Sequence, residues 1–379
     1  MRNMVIGVAT LILVGGLSAV YAIVVVPLQD KKLPVSTPSP VPSPAVAVAV
    51  TPTATVPPKV FTDYVAEGDQ LFLLGKVDEA IAAYNDAINA NPNSAKAYAH
   101  WGKILVFRNQ TGEGLAKIQR SVELDPTSAE FYALLGLAYD WNNDYGKAVE
   151  ACQKSIQLSP TYPPAYGCLA EALADSGQIE KGIDAGKKAV QLDDKDADLH
   201  RSYGYALQSA GNFKAAEEEY RKAIERQPKL TYFRLTLAAL YRRMGRIDDA
   251  VVEFQKVIEA EPKNPQPYEG IGRAYYDQKR FDEAITHFKK ATEADPERAS
   301  SFSYIGWSFY LQEKYDLAAP FFEQAIRVEP RRAEALGGLG WSHFMLGKYK
   351  EAREAFTKAA EIDPSSDLAK RGLQALEGR

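Results

Sequence analysis

The chain has little with which to do covalent chemistry. It holds 4 histidines and 2 cysteines in 379 residues. His100, His200, His287 and His343 are scattered, and no two of them stand at metal-ligand spacing. No nucleophile–base constellation stands out, so no catalysis, metal or cofactor is expected. The net charge is only −4 and no long basic tract appears, which argues against a nucleic-acid partner. Cys152 and Cys168 each read as a small buried or half-buried thiol. The other reading is a bridge between them, which would require an oxidising compartment.

What the chain does have is a fixed period of 34 residues. Pro92, Pro126, Pro160, Pro228, Pro262, Pro296, Pro330 and Pro364 mark it, with Asp194 filling the gap in the series. A small residue stands 10 positions after these points, as at Gly102, Gly136, Ala170, Gly204, Ala238, Gly272, Gly306 and Gly340. Another stands 12 positions before them, from Ala80 and Gly114 to Ala318 and Ala352. A period of this size specifies a solenoid of stacked units.

The unit at residues 265–298 shows the local physics. Tyr268, Ile271, Gly272 and Tyr275 recur at helical spacing and form one apolar stripe. A turn is expected at residues 277–280. Phe281, Ala284, Ile285, Phe288 and Ala291 form a second stripe, and Asp295-Pro296 ends it. The small residues let two helices approach where they cross, while aromatics fill the space beside them. Gly270-Ile271-Gly272 and Gly337-Gly338-Leu339-Gly340 look briefly like phosphate loops. They lie on the repeat's own small positions, with no strand before them. One pair buries too little surface to stand alone, so neighbours must stack.

This pattern closely resembles the tetratricopeptide repeat, as in Phe302, Ile305, Gly306, Phe309, Ala318, Phe322, Ala325 and Pro330. The resemblance implies an all-α solenoid, a right-handed superhelix of helix–turn–helix repeats, with nine units over residues 61–366. Residues 367–379 suit a capping helix, with Leu368, Leu373 and Leu376 on one side. Two units depart from the pattern. Gly182 and Gly186 weaken the second helix of the fourth, which reads as either a tight packing point or a soft hinge. Gly112 and Gly114 similarly weaken the second.

The family's groove is lined by the first helix of each pair. Carried over, its groove positions give Tyr276, Trp307, Tyr310, Trp341 and Phe344 in the C-terminal units. They give Arg201, Tyr205, Arg242, Arg243 and Arg273 in the middle, and Lys96, Lys103, Glu130, Trp141 and Glu171 near the start. The aromatics read as a binding shelf or as packing between repeats, and the arginines as ligand contacts or as a solvated face. The family's carboxylate clamp is incomplete, since Tyr205 stands where Asn is wanted.

Residues 5–26 carry no charge and would span about 33 Å as a helix, enough for a bilayer core. Residues 1–30 are therefore expected to be a membrane anchor, with a cleaved signal peptide as the alternative. Residues 31–60 form a linker dense in Pro, Ser and Thr, whose uncharged part, 33–58, would reach roughly 80 Å extended. Tethers of this type resemble those of bacterial envelope proteins. The solenoid is expected outside the cytoplasm, or secreted if the anchor is cleaved. The function expected is a membrane-tethered scaffold that binds peptide or protein segments in its groove and assembles an envelope complex. Alternatives are a factor binding envelope glycan or lipid precursors, and a regulatory subunit of a separate enzyme.

Overall fold

The computed structural model describes residues 60–377. The anchor expected at residues 1–30, and all of the linker at 31–60 except Val60, lie outside the described residues. Among the described residues there are nineteen α-helices and no strand. None of these helices is long and apolar enough to cross a membrane.

The helices alternate. First helices of a pair, α1 (Phe61–Leu73), α3 (Ala95–Phe107), α5 (Ala129–Trp141), α7 (Pro163–Asp175), α9 (Ala197–Ser209), α11 (Tyr232–Arg243), α13 (Pro265–Asp277), α15 (Ala299–Leu311) and α17 (Ala333–Met345), run 12 or 13 residues. Each is followed by a second helix: α2 (Val77–Ala90), α4 (Thr111–Leu124), α6 (Tyr145–Leu158), α8 (Ile179–Leu192), α10 (Phe213–Arg226), α12 (Ile247–Ala260), α14 (Phe281–Ala294), α16 (Tyr315–Val328) and α18 (Tyr349–Ile362). Finally α19 (Asp367–Glu377) packs on α18 and α17, covering Leu336 with Ala369 and Phe356 with Leu376.

Inside each pair the chain reverses through one left-handed residue. Gly75, Gly177, Gly211, Gly245 and Gly347 hold that place in five units, and Asn109, Asn143, Lys279 and Glu313 hold it in the others with φ of 60–63°. The Lys279 turn shows the bonding: Lys279 N–H donates to Tyr276 O and Arg280 N–H to Tyr275 O, satisfying carbonyls that the helix end leaves free.

The small residues of the repeat work by close approach. Phe322 on α16 is 0% exposed and lies between Gly306 and Gly338, where a Cβ would come within 2.9 and 2.4 Å of its ring. In the fourth unit the glycines stand at tight packing points. A Cβ on Gly182 would meet Ala170 O at 2.8 Å, and one on Gly186 would meet Tyr203 at 2.8 Å. These glycines bring α8 against α7 and α9, so their packing outweighs their low helix propensity.

The cysteines also depart from expectation. Cys152 on α6 and Cys168 on α7 are joined in a disulfide, with Cα atoms 5.8 Å apart. The sequence favours separate thiols because the two residues lie on different helices. Stacking of the third and fourth pairs brings those helices together, and Gly136 leaves room for both sulfurs. The bridge closes a loop across a sequence separation of 16. Its reduction is expected to cost about 3 kcal/mol through added freedom of the unfolded chain. Urea melts with and without reductant measure this cost; coincident curves would remove the bridge from the stability of the array.

Candidate binding surfaces of the inner face

The first helices meet one another across the array. Lys103 on α3 pairs with Asp198 on α9 at 2.6 Å, and Arg108 reaches Glu261 at 3.2 Å. Gln266 on α13 donates to Phe107 O at 3.2 Å. Tyr232, at the start of α11, stacks on Phe107 with ring centroids 4.4 Å apart. Contacts between the second pair and the fifth to seventh require the array to curve, with the first helices inside. The groove expected to be open in the early and middle units is thus partly filled by its own side chains.

Arg201 illustrates the change. Read from the sequence as a candidate ligand contact, it is 4% exposed and donates twice to Glu171, at 2.9 and 2.7 Å. Burial opposes its charge, but Glu171 and Asp198 hold its pKa above the usual arginine range. Ser202 also donates to Glu171. Lys103 is treated alike, with burial outweighed by Asp198. Tyr205 donates to Asp175 at 2.6 Å, and Arg242 to Asp277 at 2.5 Å. Arg273 lies over the Tyr304 ring at 5.4 Å, and Arg243 over Phe213 at 5.6 Å. These side chains mostly bind neighbouring repeats, because curvature puts complementary charges within reach.

Near the start, His100 lies between Asp69, at 2.5 Å, and Glu130, at 2.8 Å. Lys96 and Tyr84 also donate to Asp69. Burial opposes the charge on His100, but both carboxylates outweigh it and raise its pKa. Burial likewise opposes ionisation of Asp69, but the bond from His100 and its charge, with the bonds from Tyr84 and Lys96, hold its pKa at about 2. The histidine's contribution is therefore complete below its unfolded pKa and lost as pH rises through the raised folded value. The Asp69 contribution is present above about 4 and lost as pH falls through about 2. Compared with His100→Gln, the native chain is expected to gain most in melting temperature between about pH 4 and the unfolded imidazole value of 6.5, where both contributions are complete. A difference independent of pH would show that the imidazole acts only by packing.

Two cavities open on this face. One, of about 430 Å³, is bounded by Asp69, His100, Lys103, Glu130, Tyr162 and Asp198, among others. The other, of about 420 Å³, lies among α3, α5, α7, α9 and α11, with Phe107, Trp141, Tyr145, Tyr205 and Tyr232 as aromatic walls. Asp140, Glu171, Asp175 and Arg201 supply its charge. Sequence reasoning identified Trp141, Glu171, Arg201 and Tyr205 but not Asp140, whose burial depends on the packing of several units.

The C-terminal aromatics form a different surface. Trp307 packs edge-on against Tyr310 and Phe322, and its Nε1–H donates to Glu334 at 3.0 Å. Trp341 repeats this against Phe344 and Phe356, donating to Leu368 O at 3.2 Å. Tyr276 stands edge-on to Tyr304 and Phe281. All five sequence candidates here, Tyr276, Trp307, Tyr310, Trp341 and Phe344, are half-buried, so each packs against the core on one side while keeping part of its surface open. Leu311 and Met345 end α15 and α17 at the same register and are 48% and 46% exposed.

No curated protein matches the sequence. Models described as tetratricopeptide repeat or TPR repeat match residues 68–107, 129–162, 201–230, 235–299 and 305–367. Among solved structures, the crystal structure of the APC/C hetero-tetramer Cut9–Hcn1 is similar in fold, with a TM-score of 0.54 and 16% identity. The match covers 79% of this chain and 59% of that one, so this chain spans about three fifths of its length. The register, the nineteen helices and these matches agree: the chain is a tetratricopeptide repeat protein.

Proposed function

We propose that this scaffold binds an extended protein segment along the inner face of its last three repeats. The observation that carries the reading is the half-open aromatic row of Tyr276, Trp307, Tyr310, Trp341 and Phe344, flanked by exposed Leu311 and Met345. Aromatic side chains with an apolar body and a polar tip are frequent carriers of interface energy. The first six repeats contrast with this, since much of their inner face is occupied by ion pairs of the chain itself. Tetratricopeptide scaffolds bind protein partners, and Cut9–Hcn1 is a hetero-tetramer. A membrane tether and an envelope complex extend this reading from the composition of residues 1–58 alone. The Cys152–Cys168 bridge is compatible with an oxidising compartment.

The test selects peptides from a displayed random library on the full chain, then compares Leu311→Asp with Met345→Asp. Both positions are exposed, so each change is expected to leave the melting temperature nearly unmoved. Each is expected to weaken retained peptides by roughly 1–2 kcal/mol, as loss of an apolar contact at an interface does. A library that yields no binder, or binders indifferent to both substitutions, removes the C-terminal row as the binding surface.

A further inference from the structure

The cavity of about 420 Å³ has a charge arrangement that is incomplete as it stands. Asp140 on α5 is 4% exposed, and its Oδ1 has no hydrogen-bond partner. Every other ionisable group around it has a partner. Glu171 on α7 is held by Arg201 and Ser202 from α9. Asp175, one turn further along α7, accepts from the Tyr205 hydroxyl on α9. Arg201 gives both terminal nitrogens to Glu171, and its Nε, buried without a hydrogen-bond partner, lies 4.0 Å from Asp198, so neither Asp140 nor Asp175 has a cation bonded to it. Phe107, Trp141, Tyr145, Tyr205 and Tyr232 wall the same space. A buried carboxylate without a donor costs free energy, and aromatic faces attract cations.

We infer that this cavity is a recognition pocket for a primary ammonium group on an unbranched apolar chain, with Asp140 and Asp175 receiving the charge and the aromatic rings enclosing the stem. An ammonium carries three donors on a compact centre and can serve two separate carboxylates at once. Among the described residues no group of three or more His, Cys, Asp or Glu is arranged to hold a metal ion. The volume falls within the range of small-ligand sites, which run roughly 300–1,000 Å³. This surface is separate from the aromatic row of the last repeats.

Before a cation binds, Asp140 is satisfied in another way. Burial, then the nearby charges of Glu171 and Asp175, raise its pKa to about 9, with Arg201 opposing. At neutral pH it therefore holds a proton, shared with Asp175. An arriving ammonium takes the place of that proton, which leaves to solvent; the ligand keeps all of its own hydrogens, so charge and atoms balance. Binding should strengthen as pH rises from neutral toward about 9.

The probe is n-butylammonium chloride, titrated calorimetrically into the full chain against sodium chloride of equal ionic strength. Runs in two buffers of different ionisation enthalpy count released protons. Saturable binding with release of a proton is expected at neutral pH. Asp140→Asn should retain the helical dichroism spectrum while losing roughly tenfold or more in affinity, together with the proton release. A capped Gly-Lys-Gly peptide distinguishes the source of the ammonium. Tighter binding than butylammonium assigns the pocket to a lysine of a polypeptide, and weaker binding to a free amine. The proposal fails if butylammonium gives no saturable heat, if binding releases no proton, or if a folded Asp140→Asn chain binds as well as the native one. The proton count on the native chain decides the matter should the variant not fold.

Discussion

Arg201→Met should lower the stability of the array by about 3–5 kcal/mol, the cost of leaving one member of a buried ion pair alone. Arg201 and Glu171 are both nearly excluded from solvent, and two guanidinium nitrogens meet two carboxylate oxygens. Removing the arginine leaves Glu171 buried beside Asp140 and Asp175 with only the Ser202 hydroxyl to serve it. The pair also joins α7 to α9, so the loss falls on the interface between the fourth and fifth units. Stability in a solenoid is roughly a sum over units and their interfaces. Denaturant melts should therefore broaden or divide in two as the halves uncouple. The double variant Glu171→Met with Arg201→Met should recover much of the loss, because apolar replacement of both partners removes the stranded charge. A single variant that melts like the native chain would show that water reaches Glu171 and that the pair is worth little.

Which of these features could be read from the sequence follows from how far apart their parts lie. The helix pairs were legible because each depends on spacing inside one unit of 34 residues. The left-handed turn residue was legible in principle, since Gly75, Gly177, Gly211, Gly245 and Gly347 share its register. Lys279 and Glu313 conceal it, as neither favours positive φ. Contacts between neighbouring units left a subtler trace. Glu171 with Arg201, Asp175 with Tyr205, and Thr231 with Glu261 are each separated by 30 positions. Opposite charges at that offset were a usable signal of pairing rather than of ligand binding. Lys103 with Asp198, separated by 95, was not legible, because it depends on the curvature summed over several units. Asp140 was hidden for the same reason: nothing local shows that a curved array buries it.

The second large effect is expected at Phe322. Its ring is fully buried, lies between Gly306 on α15 and Gly338 on α17, and receives the edge of Trp307 at 5.1 Å. It therefore fills the crossing within one unit and the contact with the next. Phe322→Ala empties that space, and the two glycines have no side chains with which to fill it. A loss of about 3–5 kcal/mol is expected for truncating a buried aromatic at such a site. Because Trp307 rests on the same ring, its indole should become more solvated and its emission should shift to the red. Adding volume from the other side tests the same geometry. Gly338→Ala improves helix propensity by about 1 kcal/mol, yet its Cβ would lie 2.4 Å from the Phe322 ring. Overpacking of this kind costs about 1–3 kcal/mol, so the substitution should destabilise on balance. The double variant Gly338→Ala with Phe322→Leu separates the terms, since the smaller side chain relieves the clash and releases the propensity gain. If Gly338→Ala alone raises the melting temperature, α16 and α17 can separate without loss. Close approach of the helices would then not explain the glycine at that position.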